Sequence, residues 1–261
     1  MFIFTLMPYN NHISKLPKAP LQEVIFELRW KLDFDLASQS QTDNELQFAF
    51  AKFSTLSADK LKHRMIVKPP SVADSSFKNR PVYQFWSGEN QYPVFQLGAG
   101  VFTVNETEKN YEWENFRSLI LEGVDWLKKS YSNELDFTFV ELRYIDAIEA
   151  GDDNQKDLAK FITDNLKIEI SNKIIDAKLS DIQLHQRFKI DNENYLSLLI
   201  TNGIKNINQS EAIILQTSYN KTSNIPLDNL ISWIDTAHDT CSSLFKKMIS
   251  KNLYEQFSKA N

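Results

Sequence analysis

The chain has one cysteine, six glycines and four histidines among its 261 residues, and no apolar run in it approaches the 18 residues of a membrane span. A single cysteine, Cys241, excludes an intramolecular disulfide and suits a reducing, cytoplasmic compartment. It also excludes a thiolate metal site. His12, His63, His185 and His238 form no H-E-x-x-H or comparable pair, so no metal and no cofactor is expected. Arginine is scarce, with six Arg against 23 Lys, and the net charge is −5. That balance argues against a general nucleic-acid binder, which needs a basic surface to displace counterions. The start, Met1 to Met7, is apolar but lacks a basic n-region and a small-residue cleavage site. It reads as an extra strand or as a start at Met7 rather than a signal peptide.

The catalytic motifs are missing too. There is no G-x-S-x-G, no phosphate-binding G-x-x-x-x-G-K-[ST] and no kinase signature. Gly98 and Gly100 make a G-x-G, but the third glycine is absent and strand-like Val101 to Val104 follows. In a strand these glycines mark either a bulge or bend, or a flat spot where a partner or ligand packs. Cys241 falls within an apolar helical stripe. Beside it His238 reads as a satisfied structural histidine rather than half of a Cys–His dyad. No catalytic residue is expected.

Apolar residues make up 42% and charged residues 24%, ordinary for a globular chain. The informative feature is duplication. Phe26-Glu27-Leu28-Arg29-Trp30 resembles Val140-Glu141-Leu142-Arg143-Tyr144. Two of the six arginines therefore occupy matching places. Phe85 to Tyr92 resembles Phe188 to Tyr195, each an aromatic strand end, a polar turn and a Tyr opening the next strand. Strands are expected at 21–31, 64–68, 81–87 and 92–105, with helices at 43–61 and 111–131. The second half predicts strands at 135–148, 179–190, 194–202 and 210–219, a helix at 155–167, and a long final helix beginning near Pro226.

Each half thus reads β-α-(β)-β-β-α. The expected fold is α+β, a tandem duplication with mainly antiparallel sheet and helices on one face. The expected organisation is an extension at 1–18 and repeats at 19–132 and 133–261, both in one compact unit. Joined edge to edge, the halves would make the two Glu-Leu-Arg strands neighbours at a pseudo-twofold axis. Glu27, Arg29, Glu141 and Arg143 would then lie on the face away from the core, alternating signs pairing across the strands. They would form either a structural ionic ladder or a charged binding surface. Trp86, at a hairpin tip, and Trp126, off its helix stripe, are candidate partner anchors; packing between the halves explains them equally.

Ala19-Pro20-Leu21 before Glu23 to Trp30, Phe95 to Gly98 through Val104-Asn105, Tyr111 to Phe116 and Val140 to Tyr144 together resemble a family of sporadically distributed bacterial proteins of about this length. The likeness covers most of 19–148. It implies no activity, cofactor or catalytic residue. It does imply a mobile or defence-linked setting and favours the start at Met7. With no catalytic constellation, the expected role is an interaction or adaptor protein offering its sheet face or edges to a protein partner. The alternative is a small-ligand or nucleotide-sensing module with a pocket between the sheet and the long C-terminal helix.

Overall fold

In the computed structural model, residues 16–36, 39–72, 77–149, 158–171, 177, 179–205, 210–223 and 225–259 are described. The possible starts at Met1 and Met7, and the first residues of the helix expected from 155, lie outside them. The first repeat runs β1 (Leu21–Trp30), a small ribbon of β2 (Asp33–Asp35) and β3 (Ser40–Thr42), α1 (Leu46–Leu56), β4 (His63–Ile66), β5 (Tyr83–Gly88), β6 (Gln91–Gly98), β7 (Val101–Thr107) and α2 (Trp113–Ser130). The second runs β8 (Phe137–Glu149), α3 (Leu158–Leu166), β9 (Gln183–Lys189), β10 (Asn194–Lys205), β11 (Ser210–Lys221), α4 (Leu230–Met248) and α5 (Lys251–Ser258).

Both repeats build one antiparallel sheet of nine strands, in the order β4-β5-β6-β7-β1-β8-β11-β10-β9. The Glu-Leu-Arg strands meet at its centre. Glu27 stands opposite Glu141, Phe26 opposite Leu142 and Leu28 opposite Val140, the reciprocal register of a local twofold. Outward from it the halves match, β7-β6-β5 on one side and β11-β10-β9 on the other, with β4 added at one end. The fold is α+β, with the helices packed against the sheet as the duplicated pattern predicts.

Alternation along the central strands decides what is buried. Val24, Phe26, Leu28 and Trp30 of β1 and Val140 and Leu142 of β8 are buried against the helices. Helix α2 meets them through Phe116, Ile120 and Leu127, and α4 through Leu230, Ile234 and Cys241. If Glu141 is laid on Glu27, these helix residues superpose in sequence as well: Leu230 on Phe116, Ile234 on Ile120, Cys241 on Leu127. The same register places Tyr144 on Trp30, Asp146 on Leu32, His238 on Val124 and Ile225 on Tyr111.

Three expectations are corrected. The strand expected over 92–105 is two strands, because Ala99 and Gly100 form a turn in which Gly100 has φ +74°. The long final helix breaks after Met248, where Ser250 caps α5 by accepting the Leu253 N–H. Trp126 is buried, edge-on to Phe53, because the aromatic cluster under β5–β7 extends to its side of α2. Just before α1, Asp43 accepts the Glu45 N–H and the Tyr131 hydroxyl, tying α1 to the end of α2.

Candidate functional site

Glu27, Arg29, Glu141 and Arg143 do lie together on the face away from the helices, but their pairing differs from the expected cross-strand ladder. Like faces like across the strands, Glu27 opposite Glu141. Each arginine instead folds back on its own strand: Arg29 Nε donates to Glu27 Oε1 at 2.5 Å, and Arg143 donates to Glu141. Arg143 also reaches Glu27 at 3.8 Å and so holds both carboxylates. Both glutamates are buried, so the arginines offset a repulsion that facing carboxylates would otherwise suffer.

The rest of this face is polar. In the first half a ladder runs from Gln84 to Gln96, from Gln96 to Thr103 and Asn105, and from Asn105 to Glu23. Tyr92 donates to the same Glu23, and its hydroxyl is pushed up to about 12 by burial and that carboxylate. Trp86 stands on this face too, edge-on to Tyr92 and donating to Gln84. Gly98 offers no open spot: a Cβ there would lie 2.0 Å from the Arg80 carbonyl oxygen, so the chain's own backbone makes the close approach. In the second half Phe139, Glu141, His185, Arg187, Ser197 and Asn220 help line a trough of about 440 Å³. Arg187 lies over the Tyr195 ring at 3.9 Å. Asn220 Oδ1, in the trough, and Arg143 Nε, on the same face, are buried without a hydrogen-bond partner among the described residues.

The helical face holds a larger cavity, about 560 Å³, between the sheet and α4. Strand β8 contributes Tyr144 and Asp146, β11 Thr217, and α4 His238, Cys241, Ser242, Phe245 and Lys246. Leu16, Ala19 and Leu21 close one side; the segment from Glu108 to Glu114 lines another. Its polar end is ordered. The Tyr111 and Tyr144 hydroxyls lie 2.9 Å apart, and Tyr144 lies 2.8 Å from His238 Nδ1. The His238 ring stacks flat on Trp113 at 4.0 Å. Burial lowers His238 to about 4, so the imidazole is neutral and its Nδ1 shares a hydrogen bond with the Tyr144 hydroxyl. Burial also raises both tyrosine hydroxyls, which therefore stay protonated.

Asp146 differs from its neighbours. It is 5% exposed, lines the cavity, and its carboxyl makes no hydrogen bond or ion pair with a described residue. Desolvation alone lifts it to about 7. The Cys241 thiol is buried and pushed up by burial, with Glu141 and Asp146 adding to it; it stays an unreactive thiol, as its place in the helix stripe predicts. The cavity thus offers hydrogen bonds of both senses and one carboxyl that titrates near neutrality, with no activated nucleophile among the described residues. Nor do the described residues hold three or more His, Cys, Asp or Glu disposed around a metal.

Sequence reasoning singled out the open-face charges and read His238 as structural, which its hydrogen bond and stacking bear out. It missed the site that His238 helps to build. One signal was present: continuing the alternation Val140, Leu142, Tyr144 puts Asp146 on the core face, where a carboxylate is out of place.

No family model, curated protein or solved structure matches the chain significantly. No described helix is long and apolar enough to cross a membrane.

Proposed function

We propose that the chain is a small-ligand-binding module whose ligand occupies the cavity between β8, β11 and α4. One observation carries this reading. Laying one Glu-Leu-Arg strand on the other sets Trp30 of β1 against Tyr144 of β8, and polar side chains converge only around the second. Where the first repeat has Trp30, Leu32 and Val124, the second has Tyr144, Asp146 and His238. Stability alone favours the apolar set, since burying polar groups costs free energy, and no described residue hydrogen-bonds the Asp146 carboxyl to offset it. A volume of about 560 Å³ suits a drug-sized molecule. The test is native mass spectrometry of the protein taken gently from its own host. A bound small mass is expected, and Ser242→Phe, which fills the cavity from α4, should lose it. A bare protein of chain mass, together with no ligand-dependent change in melting, would remove the reading.

A second reading keeps the protein as an adaptor in a mobile or defence-linked bacterial system, with a protein partner on the open sheet face. The unpartnered Asn220 Oδ1 and Arg143 Nε favour it, since buried polar atoms without partners are costly in a finished surface. Arg187→Glu, on the trough wall, should then abolish recovery of a specific partner while leaving the fold and any small ligand in place.

A further inference from the structure

We infer that the cavity's ligand carries a cationic amine, amidinium or guanidinium group that pairs with Asp146. The inference rests on the ligand-binding reading and names the ligand's class. The geometry supplies three arguments. First, Asp146 is more than nine-tenths buried, lines the cavity and has no partner among the described residues. An ionised carboxylate in such a place is stabilised only by an opposite charge brought to it. Second, the lining residues are acidic on balance: Glu108, Glu112, Glu114 and Asp146 against Lys109 and Lys246. Third, the walls beside Asp146 are aromatic, with Tyr111, Tyr144, Trp113 and Phe245 among them. Aromatic faces attract a cation that has left water.

Among the described residues, the groups around Asp146 do not supply that charge. Its own strand gives Tyr144, and the segment before α2 gives Tyr111, Glu108, Lys109, Glu112 and Glu114. Helix α4 gives His238, Cys241 and Lys246, and β11 gives only Thr217. His238 is neutral above about pH 4. Lys246 interacts with Asp239 on its own helix, and no cation lowers Asp146. A ligand cation would do so, and binding would expel a proton from Asp146 at any pH below about 7. Affinity for a cation must therefore rise with pH up to that point. A neutral carboxyl donating to a ligand carbonyl or carboxylate would give the opposite slope.

The experiment uses three probes with one body: 2-phenylethylamine, 2-phenylethanol and phenylacetate. Binding is read from the Trp113 and Tyr144 resonances, and the Asp146 carboxyl is titrated by ¹³C NMR with and without each probe. The amine should bind at least tenfold more tightly than the other two and move the Asp146 midpoint down by more than one pH unit. Its affinity should climb up to about tenfold per pH unit between pH 5.5 and 6.5. Asp146→Asn, which keeps the shape, should erase both the selectivity and the pH dependence. If phenylacetate or phenylethanol perturbs the cavity resonances as strongly as the amine, and Asp146→Asn changes nothing, the cation assignment falls while the ligand-binding reading stands. If no probe perturbs them and native mass spectrometry finds no bound mass, both fall.

Discussion

Trp30 of β1 and Tyr144 of β8 take the same place in the duplicated pattern and have opposite chemistry. At the end of β1, Trp30 is buried and packed edge-on by Tyr131 at 5.5 Å and by Phe137 at 6.3 Å. At the equivalent point of β8, Tyr144 is smaller, hydrogen-bonded, and faces a cavity that Asp146 and His238 share. The backbone framework is common, so the difference lies in the side chains. One copy carries the stability of the joint between repeats; the other has given up some of it to hold a polar space. Functional sites are commonly made this way, by local departures from what stability favours.

The strongest way to break the comparison is to truncate each side. Trp30→Ala should cost about 3–5 kcal/mol, because it leaves a large hole in a packed aromatic cluster. Tyr144→Ala should cost about half as much, because its phenol already borders open space and the loss enlarges an existing cavity. Urea unfolding measures both. Equal costs would mean that the two ends are packed alike.

The axis between the ends is a second point of attack. Arg143→Met leaves Glu27 and Glu141 facing each other with only Arg29 to offset them, and should cost about 2–3 kcal/mol by chemical denaturation. Adding Glu27→Gln should recover part of that loss, since it removes one of the two charges. A double variant no more stable than Arg143→Met would show that the arginine acts through packing.

The polar end makes stability depend on pH in two opposed ways. Asp146 is raised from 3.8 to about 7, so between those values the folded chain holds a proton that the unfolded chain has released. Its contribution falls as pH rises through that window. His238 is lowered from 6.5 to about 4, so between those values the unfolded chain holds the extra proton. Its contribution therefore rises with pH. From about pH 4 to 6.5 the slopes oppose each other. Asp146→Leu, which restores the residue of the first repeat, should expose the rising histidine slope, up to about 1.4 kcal/mol per pH unit, and stabilise the protein at pH 8. His238→Val should expose the falling slope. Melting curves across pH 4–8 separate the two.

Much of this architecture was legible in the sequence, and the reason is periodicity. The Glu-Leu-Arg repeat located the twofold, and alternation placed Phe26 and Leu28 on one face and Glu27 and Arg29 on the other. The turn at Ala99 and Gly100 was hidden because two residues interrupt an otherwise continuous apolar run. The cavity was hidden for a different reason. Tyr111, Tyr144, Asp146 and His238 are scattered along the chain, and three of them sit within core patterns that read as ordinary packing. Only superposing the repeats shows that each stands where the other copy carries an apolar residue, or in the case of Tyr111 the reverse substitution of Ile225.

The smallest effect concerns the clasp above the cavity. Arg117 of α2 holds Asp235 of α4 through two hydrogen bonds, 2.7 and 3.1 Å, joining the helices of the two repeats. The same superposition puts Ile231 on Arg117 and leaves Leu121 where α4 has Asp235, so this clasp also exists on one side only. Asp235 is 41% exposed and Arg117 is 27% exposed as side chains, so water screens the pair. Arg117→Ala should cost only about 0.5–1 kcal/mol, and less at high salt. Its clearer effect should be on the cavity, because α4 carries His238 one turn beyond Asp235. Faster amide exchange along the start of α4, with the Trp30 end unchanged, would show that the clasp serves the polar end alone; equal loosening at both ends would make it a general brace of the duplicated fold.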